Sequence, residues 1–195
     1  MLAVDCVPGD YPASRDLDPL AQYFHWSAAV LGKAQKLISG AYVAVQVRSE
    51  FMWSGRCGGF SCVQCQTLLD QDPSIDPNAI CDPGLSAMRN MLNQAMEVAN
   101  TSRLFVAADV ALDQMGEMGE MFLALGAQTQ EGGTGVNGLF RPQVDLAILT
   151  SARLMIGHCP SSFSNIATRM RAAHGKPSAY WGLPQSIPAK EAFHN

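Results

Sequence analysis

Along most of the chain, short apolar runs alternate with longer segments in which apolar residues recur every three or four positions. The short runs are typical of buried strands, and the longer segments are typical of amphipathic helices. Strands are predicted at 41–47, 103–108, 127–130 and 153–157. Helices are predicted at 18–39, 83–99, 113–125, 145–151 and 162–173. This alternation indicates an α/β fold, a three-layer Rossmann-like domain with a mostly parallel sheet.

Residue types at the ends of these segments support the predicted boundaries. Asp18-Pro19 and Asp82-Pro83 are typical helix starts, with aspartate as the N-cap and proline in the first turn. Methionines on one face of the 83–99 helix are expected in the core rather than at a cofactor. His25 and Trp26 are interpreted as packing residues of the first helix. The glycine-rich segment 131–138 is not a dinucleotide-binding fingerprint, because it does not join a strand to a helix.

Polar residues follow three of the predicted strands directly. Arg48 follows the strand at 41–47, Asp109 follows the one at 103–108, and Ser161 lies just past the one at 153–157. Ligands of such folds bind beyond the carboxyl ends of the strands. Ser161 or Ser162 suits the N-cap of the next helix, and a helix start favours anions. The sequence therefore indicates an anion site here, and a purely capping role for the serines is the alternative.

Length and composition limit the domain organisation and the classes of partner. The chain has 195 residues, which suits one ordinary domain with a core. A domain is expected at 16–195, after a Pro/Gly-rich linker at 1–15, and a long loop is expected at 49–83. The net charge of −4 and the absence of a basic run argue against nucleic acid. No apolar stretch reaches the length of a membrane span, and the first residues do not resemble a signal peptide.

Six cysteines lie at positions 6, 57, 62, 65, 81 and 159, and four of them fall in the predicted loop. An even number in a loop-rich segment indicates disulfides and an oxidising compartment. A four-thiolate zinc site and free thiols are the alternatives. A redox Cys-x-x-Cys is disfavoured, because Cys62 and Cys65 do not open a helix after a strand. The sequon Asn100-Thr101-Ser102 fits a secretory setting, although sequons also occur by chance.

The segment 144–182, together with AYVAVQVR (41–48) and FVAAD (105–109), resembles the protein O-fucosyltransferases. The similarity extends in order from about residue 16 to residue 182. It implies the C-terminal, donor-binding half of a GT-B glycosyltransferase that is incomplete without an N-terminal half. The implied reaction is inverting transfer of fucose from GDP-fucose to a Ser or Thr hydroxyl of a folded acceptor protein. No metal ion is required in the implied mechanism.

The resemblance also implies roles for individual residues. Arg48 matches the arginine that contacts the donor diphosphate and assists departure of the leaving group. The hydroxyls and N–H groups of Ser161 and Ser162 would bind that diphosphate, and Phe163 would pack near the nucleoside. Asp145 matches an aspartate that lies near the guanine pocket in the family. A carboxylate that only stabilises the helix start is the alternative role. The remaining implied nucleotide-binding positions are Asp109, whose role is not defined, and Phe60.

Two positions depart from the family pattern, and both lie close to Arg48. Gln46 stands where the family has histidine, and Met52 stands where protein O-fucosyltransferases have the aspartate of an Asp-Trp pair. A non-catalytic relative that binds a nucleotide or a protein partner is therefore the alternative function. A disulfide- or zinc-stabilised interaction module is the second alternative.

The resemblance further implies a pairing of the cysteines and a cellular location. The expected disulfides are Cys57–Cys81 and Cys65–Cys159, and Cys62 could take the place of Cys65. The endoplasmic reticulum lumen, or the secretory pathway, is the expected location.

Overall fold

The computed structural model describes residues 23–47, 69–70, 72–130 and 141–193. Its strands are β1 (Val43–Val47), β2 (Leu104–Ala108), β3 (Gln128–Thr129), β4 (Leu154–Gly157) and β5 (Ser178–Tyr180). Its α-helices are α1 (Ala28–Leu37), α2 (Pro77–Cys81), α3 (Gly84–Val98), α4 (Glu117–Ala124), α5 (Arg141–Ser151) and α6 (Ser162–Ala173). Short 3-10 segments lie at Leu112–Gln114, Pro184–Ser186 and Lys190–Phe193. None of the helices in these ranges is long and apolar enough to cross a membrane.

The strands form one sheet in the order β3-β2-β1-β4-β5, and all neighbouring pairs run parallel. Val45 in the central strand β1 lies opposite Val106 in β2 and Ile156 in β4. Because the strands are parallel, their carboxyl ends all lie at one edge of the sheet, which we call the carboxyl edge. The predicted α/β fold with a parallel sheet is confirmed.

Helices cover both faces of the sheet and bury its three central strands. Helices α3 and α4 pack on one face, where Met88 and Met91 of α3 form part of the core, as expected for the methionine stripe. Helices α1, α5 and α6 pack on the other face, around Ala44 and Phe105. Strands β1, β2 and β4 are therefore buried on both sides, which explains why they read as continuous apolar runs.

The first described helix begins later than the sequence pattern indicates. Residues 23–27 are not helical, and α1 starts after Ser27, whose side chain accepts a hydrogen bond from the Val30 N–H at 3.3 Å. Trp26 Nε1 donates to Thr150 Oγ1 on α5 at 3.1 Å, which holds this segment against another helix. The predicted continuous helix from 18 was wrong over 23–27, because a serine cap and this tertiary contact prevail over periodicity. Asp18 itself lies outside the described residues.

Three further segments differ from the expectations. The predicted 113–125 helix is interrupted at Gly116, whose φ of 57° is left-handed, and only α4 continues as an α-helix. The predicted 49–83 loop contains α2, whose N-cap is Asp76. The Asp76 side chain accepts from the Asn78 N–H at 2.9 Å. Strand β5 was not predicted. The 1–15 linker, the 131–138 segment and most of the 49–83 loop lie outside the described residues.

A buried arginine joins the opposite edge of the sheet, which we call the amino edge. Arg171 of α6 is fully buried, and its guanidinium donates to Leu149 O at 2.8 Å and Ala152 O at 2.7 Å. It also donates to Pro177 O, before β5. Arg171 thus satisfies the carbonyl groups at the end of α5 and fixes the start of β5. Burial lowers its pKa to about 10, so the guanidinium stays charged at neutral pH.

Candidate functional site

The turn between β4 and α6 lies at the carboxyl edge and carries the predicted serine motif. The Ser161 N–H donates to His158 O at 2.9 Å, which closes the turn. Ser161 is the N-cap of α6, and its side chain accepts from the Ser164 N–H. Ser161 is buried, whereas Ser162 and Phe163 are half-buried. The N-cap prediction is confirmed, and the first turn of α6 faces the edge where ligands of parallel sheets bind.

A buried chain of hydrogen bonds links this turn to the central strand. Ser164 Oγ donates to Gln46 Oε1 at 2.8 Å and accepts from the His158 N–H at 2.9 Å. Gly157 leaves room for this contact, since a Cβ there would lie 3.0 Å from the Ser164 Cβ. Gln46 and Ser164 are both buried, so the hydrogen bonds are shielded from water. Gln46 therefore fixes the turn relative to the end of β1.

Gln46→Leu is expected to reduce the free energy of unfolding by about 1–3 kcal/mol, because the Ser164 hydroxyl loses its buried acceptor. Urea unfolding measures this change. Ser164→Ala is the matched partner variant, and the double variant should cost less than the sum of the two single changes, since both disrupt one interaction. Strictly additive effects would contradict a Gln46–Ser164 hydrogen bond.

A tryptophan and a glycine after β5 complete the carboxyl edge. Trp181 is fully buried, its Nε1 donates to Gln46 O at 2.9 Å, and its N–H donates to Gly157 O at 2.9 Å. Gly182 has a φ of +76°, and a Cβ there would lie 2.0 Å from Ala79 O on α2. Only glycine fits that close approach, which packs α2 against the edge.

Asp145 lies in the second turn of α5, whose N-terminus is held at the carboxyl edge by Arg141. The Arg141 Nη2 group donates to Ala108 O at the end of β2, and its Nε lies 3.9 Å from Asp145 Oδ2. Burial raises the pKa of Asp145 to about 7, and the Arg141 charge opposes this shift. Asp145 Oδ1 is buried and has no hydrogen-bond partner within the described ranges. A buried carboxylate oxygen of this kind is suited to accept from a ligand's N–H groups.

His158 lies between β4 and the serine turn and is fully buried. Burial lowers its pKa to about 4, and a hydrogen bond with the backbone of Ile80 opposes this shift. The imidazole is therefore neutral at physiological pH. Its place between the strand end and the N-cap gives it a role in shaping the turn.

The structure locates some of the predicted site residues and leaves others undescribed. Asp109 directly follows β2 and is exposed at the carboxyl edge, as expected. Arg48 and Phe60 lie outside the described residues, as does Met52. Strand β1 ends at Val47, so the position preceding Arg48 lies at the same edge as Ser161. The nucleotide-binding roles of all these residues stay predictions.

The cysteine predictions fall mostly on undescribed positions. Cys159 is fully buried in a small cluster with Ile80 and Leu183, next to the serine turn. The side chains of the other five cysteines are not described, so the predicted pairings and the zinc alternative stay predictions. Among the described side chains, no group of three or more His, Cys, Asp or Glu residues is placed to hold a metal ion.

Several residues that build this site were not identified from the sequence, namely Arg141, His158, Ser164 and Trp181. The spacing of Arg141 and Asp145, four residues apart on a helix, was an available signal for their pairing. The Gln46–Ser164 hydrogen bond joins residues 118 positions apart, and no local pattern predicts it.

Comparison with known proteins identifies what the whole chain is similar to. No family model matches the chain. The chain is 24% identical over 200 residues to GDP-fucose protein O-fucosyltransferase 1 of Caenorhabditis elegans, and this match covers 94% of the chain. It covers 49% of the worm protein, so the chain spans about half the length of this curated relative.

Solved structures show the same fold. A crystal structure of POFUT1 in complex with GDP matches with a TM-score of 0.64 and 22% identity over 88% of this chain and 51% of that one. A crystal structure of POFUT1 in complex with GDP-fucose matches with a TM-score of 0.63 and 21% identity, over 88% of this chain and 52% of that one. The resemblance to the protein O-fucosyltransferases is confirmed. The predicted α/β fold is the fold of these structures, and it corresponds to about half of their length.

Proposed function

We propose that this chain is the donor-binding, C-terminal half of a GDP-fucose protein O-fucosyltransferase, which transfers fucose to Ser or Thr hydroxyls with inversion. The observation that carries the proposal is the carboxyl edge itself. There a serine-capped helix start and a buried carboxylate with an open oxygen lie on adjacent helices. The chain shares its fold with POFUT1 structures solved with GDP and with GDP-fucose.

In this proposal the diphosphate binds at the first turn of α6. The N–H groups and the dipole of the helix start favour a negatively charged ligand, and the Ser162 hydroxyl adds a further donor. Arg48 would pair with the diphosphate in the planar geometry that guanidinium and phosphate share. Stabilising the charge that develops on the leaving diphosphate is the main catalytic task, and these groups supply positive charge without a metal ion.

The guanine base is assigned to Asp145. Guanine N1–H and N2–H can both donate to a carboxylate, and Asp145 Oδ1 is buried with its acceptor capacity unused among the described residues. The pKa of about 7 means that the carboxyl is partly protonated at neutral pH before a ligand binds. Donation from guanine favours the ionised form, so GDP binding should release a proton from Asp145.

Asp145→Asn is expected to weaken GDP binding by about 1.5–3 kcal/mol, because a charge-assisted hydrogen bond is lost. This corresponds to about tenfold or more in affinity. Because the wild type binds guanine through ionised Asp145, its affinity should rise as the pH rises through about 7. The variant should lose this part of the pH dependence. Titration calorimetry at several pH values measures both effects.

IDP is the matched ligand control, because inosine lacks only the N2 amino group of guanosine. The wild type should prefer GDP over IDP, and Asp145→Asn should narrow that preference. GDP and IDP bound equally by the wild type would contradict the assignment of guanine to Asp145. The phosphate groups of GDP titrate identically in the experiments with the wild type and with Asp145→Asn. Their contribution to the pH dependence of binding therefore cancels when the two proteins are compared at each pH.

The disulfides, the location and the acceptor belong to the same proposal. A Cys65–Cys159 disulfide would tie the loop after β1 to the serine turn, and a Cys57–Cys81 disulfide would tie that loop to α2. The pairing of Cys159 is supported by its complete burial in a small cluster with Ile80 and Leu183, next to the serine turn. Disulfides require an oxidising compartment, which fits the endoplasmic reticulum lumen. The acceptor is a folded protein domain.

A non-catalytic nucleotide-binding relative is the second candidate, and Gln46 favours it. The amide of Gln46 is buried and accepts a hydrogen bond from Ser164. An amide neither gains nor loses a charge near neutral pH, so Gln46 cannot act as an acid or a base. Nucleotide binding without fucose transfer by the full-length gene product would support this candidate.

A further inference from the structure

Helix α3 ends in a sequon that the nucleotide site does not use. The Asn100 N–H donates to Glu97 O and the Thr101 N–H donates to Met96 O, each at 3.0 Å, which is the Schellman pattern of helix ends. Asn100 has a φ of 48°, in the left-handed region. Asparagine is tolerated in that conformation, although glycine is the usual residue. The cap therefore depends on the backbone of this position and does not require the Asn100 side chain.

The two chemical groups that a glycan acceptor needs are both available. Asn100 and Ser102 are exposed, and their side chains make no hydrogen bond to any described residue. Thr101 between them is engaged, since its hydroxyl donates to Ala41 O at 2.8 Å and accepts from the Arg103 N–H at 3.1 Å. The sequon is thus anchored by its middle residue and presents the amide and the hydroxyl to solvent.

The position of the sequon keeps a modification away from the proposed nucleotide site. The α3–β2 connection lies at the amino edge of the sheet, opposite Ser161. Asn100 and Ser102 line an open groove of about 860 Å³, together with Met96, Leu125 and Arg103. A sugar attached to Asn100 therefore has room at the surface without displacing a packed side chain.

We propose that Asn100 is a site of N-linked glycosylation, an inference that rests on the proposed secretory location. The co-reactant is an oligosaccharide linked to a polyprenyl diphosphate. The amide nitrogen of Asn100 forms a bond to the anomeric carbon of the sugar and loses a proton. The bond from that carbon to the diphosphate oxygen breaks, and the polyprenyl diphosphate leaves with the electron pair. The chain contains no other Asn-x-Ser/Thr sequence, so one glycan is expected.

The test is expression of residues 1–195 behind a signal peptide in a mammalian secretory host, with a C-terminal tag that carries its own sequon. Glycosylation of the tag shows that the chain has entered the secretory pathway. The wild type should carry two glycans, which peptide N-glycosidase removes in a measurable mass shift. Asn100→Gly and Ser102→Ala should each carry only the tag glycan, whereas Ser102→Thr should keep both.

Asn100→Gly is the informative variant, because glycine preserves the left-handed helix cap while removing the acceptor. Its urea midpoint should stay close to that of the deglycosylated wild type. The proposal would be overturned if the wild type and Ser102→Thr both carried the tag glycan and neither carried a glycan at Asn100. Because the readout is the mass of the chain, this result is independent of nucleotide binding and of fucose transfer.

Discussion

Replacing Arg171 by methionine is expected to lower the free energy of unfolding by about 3–5 kcal/mol. The guanidinium donates to Leu149 O, Ala152 O and Pro177 O in a fully buried setting. Methionine fills much of the same volume but donates nothing, and each buried carbonyl left without a donor costs about 1–3 kcal/mol. Chemical denaturation by urea measures the loss.

Two matched variants separate the hydrogen bonds of Arg171 from other effects of the substitution. Arg171→Lys should recover only part of the stability. The planar guanidinium reaches carbonyl groups on several sides at once, and a compact ammonium cannot. Arg89→Met is the control, since Arg89 is an exposed residue of α3 whose substitution should change stability by less than about 0.5 kcal/mol. An Arg171→Met variant as stable as Arg89→Met would contradict the structural role of the buried guanidinium.

The parts of the fold that the sequence predicts are those with strong local signals. Strands β1, β2 and β4 are buried on both faces, so each reads as a continuous apolar run. The α6 start has a serine N-cap in the expected place. The late start of α1 was missed, because Ser27 and the Trp26–Thr150 contact outweigh an apolar periodicity that continues upstream. Strand β5 was missed because three residues carry too little pattern.

In the candidate site, too, the residues with local signals were predicted and those that act through distant contacts were not. Ser161, Asp109 and Asp145 were predicted because each lies in a recognisable position relative to a strand end or within a family motif. The residues that shape the site act over long sequence distances. Trp181 donates to Gln46 O across 135 positions, and Arg141 reaches Ala108 O across 33. Contacts of this kind depend on strand order, which the sequence pattern alone did not specify.

Arg48→Ala is expected to weaken GDP binding by about 1.5–3 kcal/mol, which is about tenfold or more in affinity. Arg48 is the first residue after β1, and β1 ends at the same edge as the Ser161 turn. In the proposed function, the Arg48 guanidinium would pair with the diphosphate through two parallel N–H groups, and alanine removes both. Titration calorimetry of the two proteins with GDP measures the difference.

Arg48→Lys is the matched variant, and it should recover only part of the affinity, because an ammonium lacks the planar fork. Ser161→Ala should weaken GDP binding less than Arg48→Ala does, since the backbone N–H groups of α6 remain. Equal affinity for GDP in Arg48→Ala and the wild type would show that Arg48 does not contact the diphosphate.

The most direct test of nucleotide binding at the carboxyl edge is hydrogen–deuterium exchange of the wild-type chain with and without GDP. Exchange should slow at 158–165, around the serine turn, and at 141–146, around Asp145, because ligand contacts stabilise both helix starts. ADP at the same concentration should give weaker protection at 141–146, since adenine lacks the paired N1–H and N2–H donors that the proposal assigns to Asp145. Protection by GDP confined to the amino edge around 97–103, or none at all, would contradict a donor-nucleotide site at the carboxyl edge.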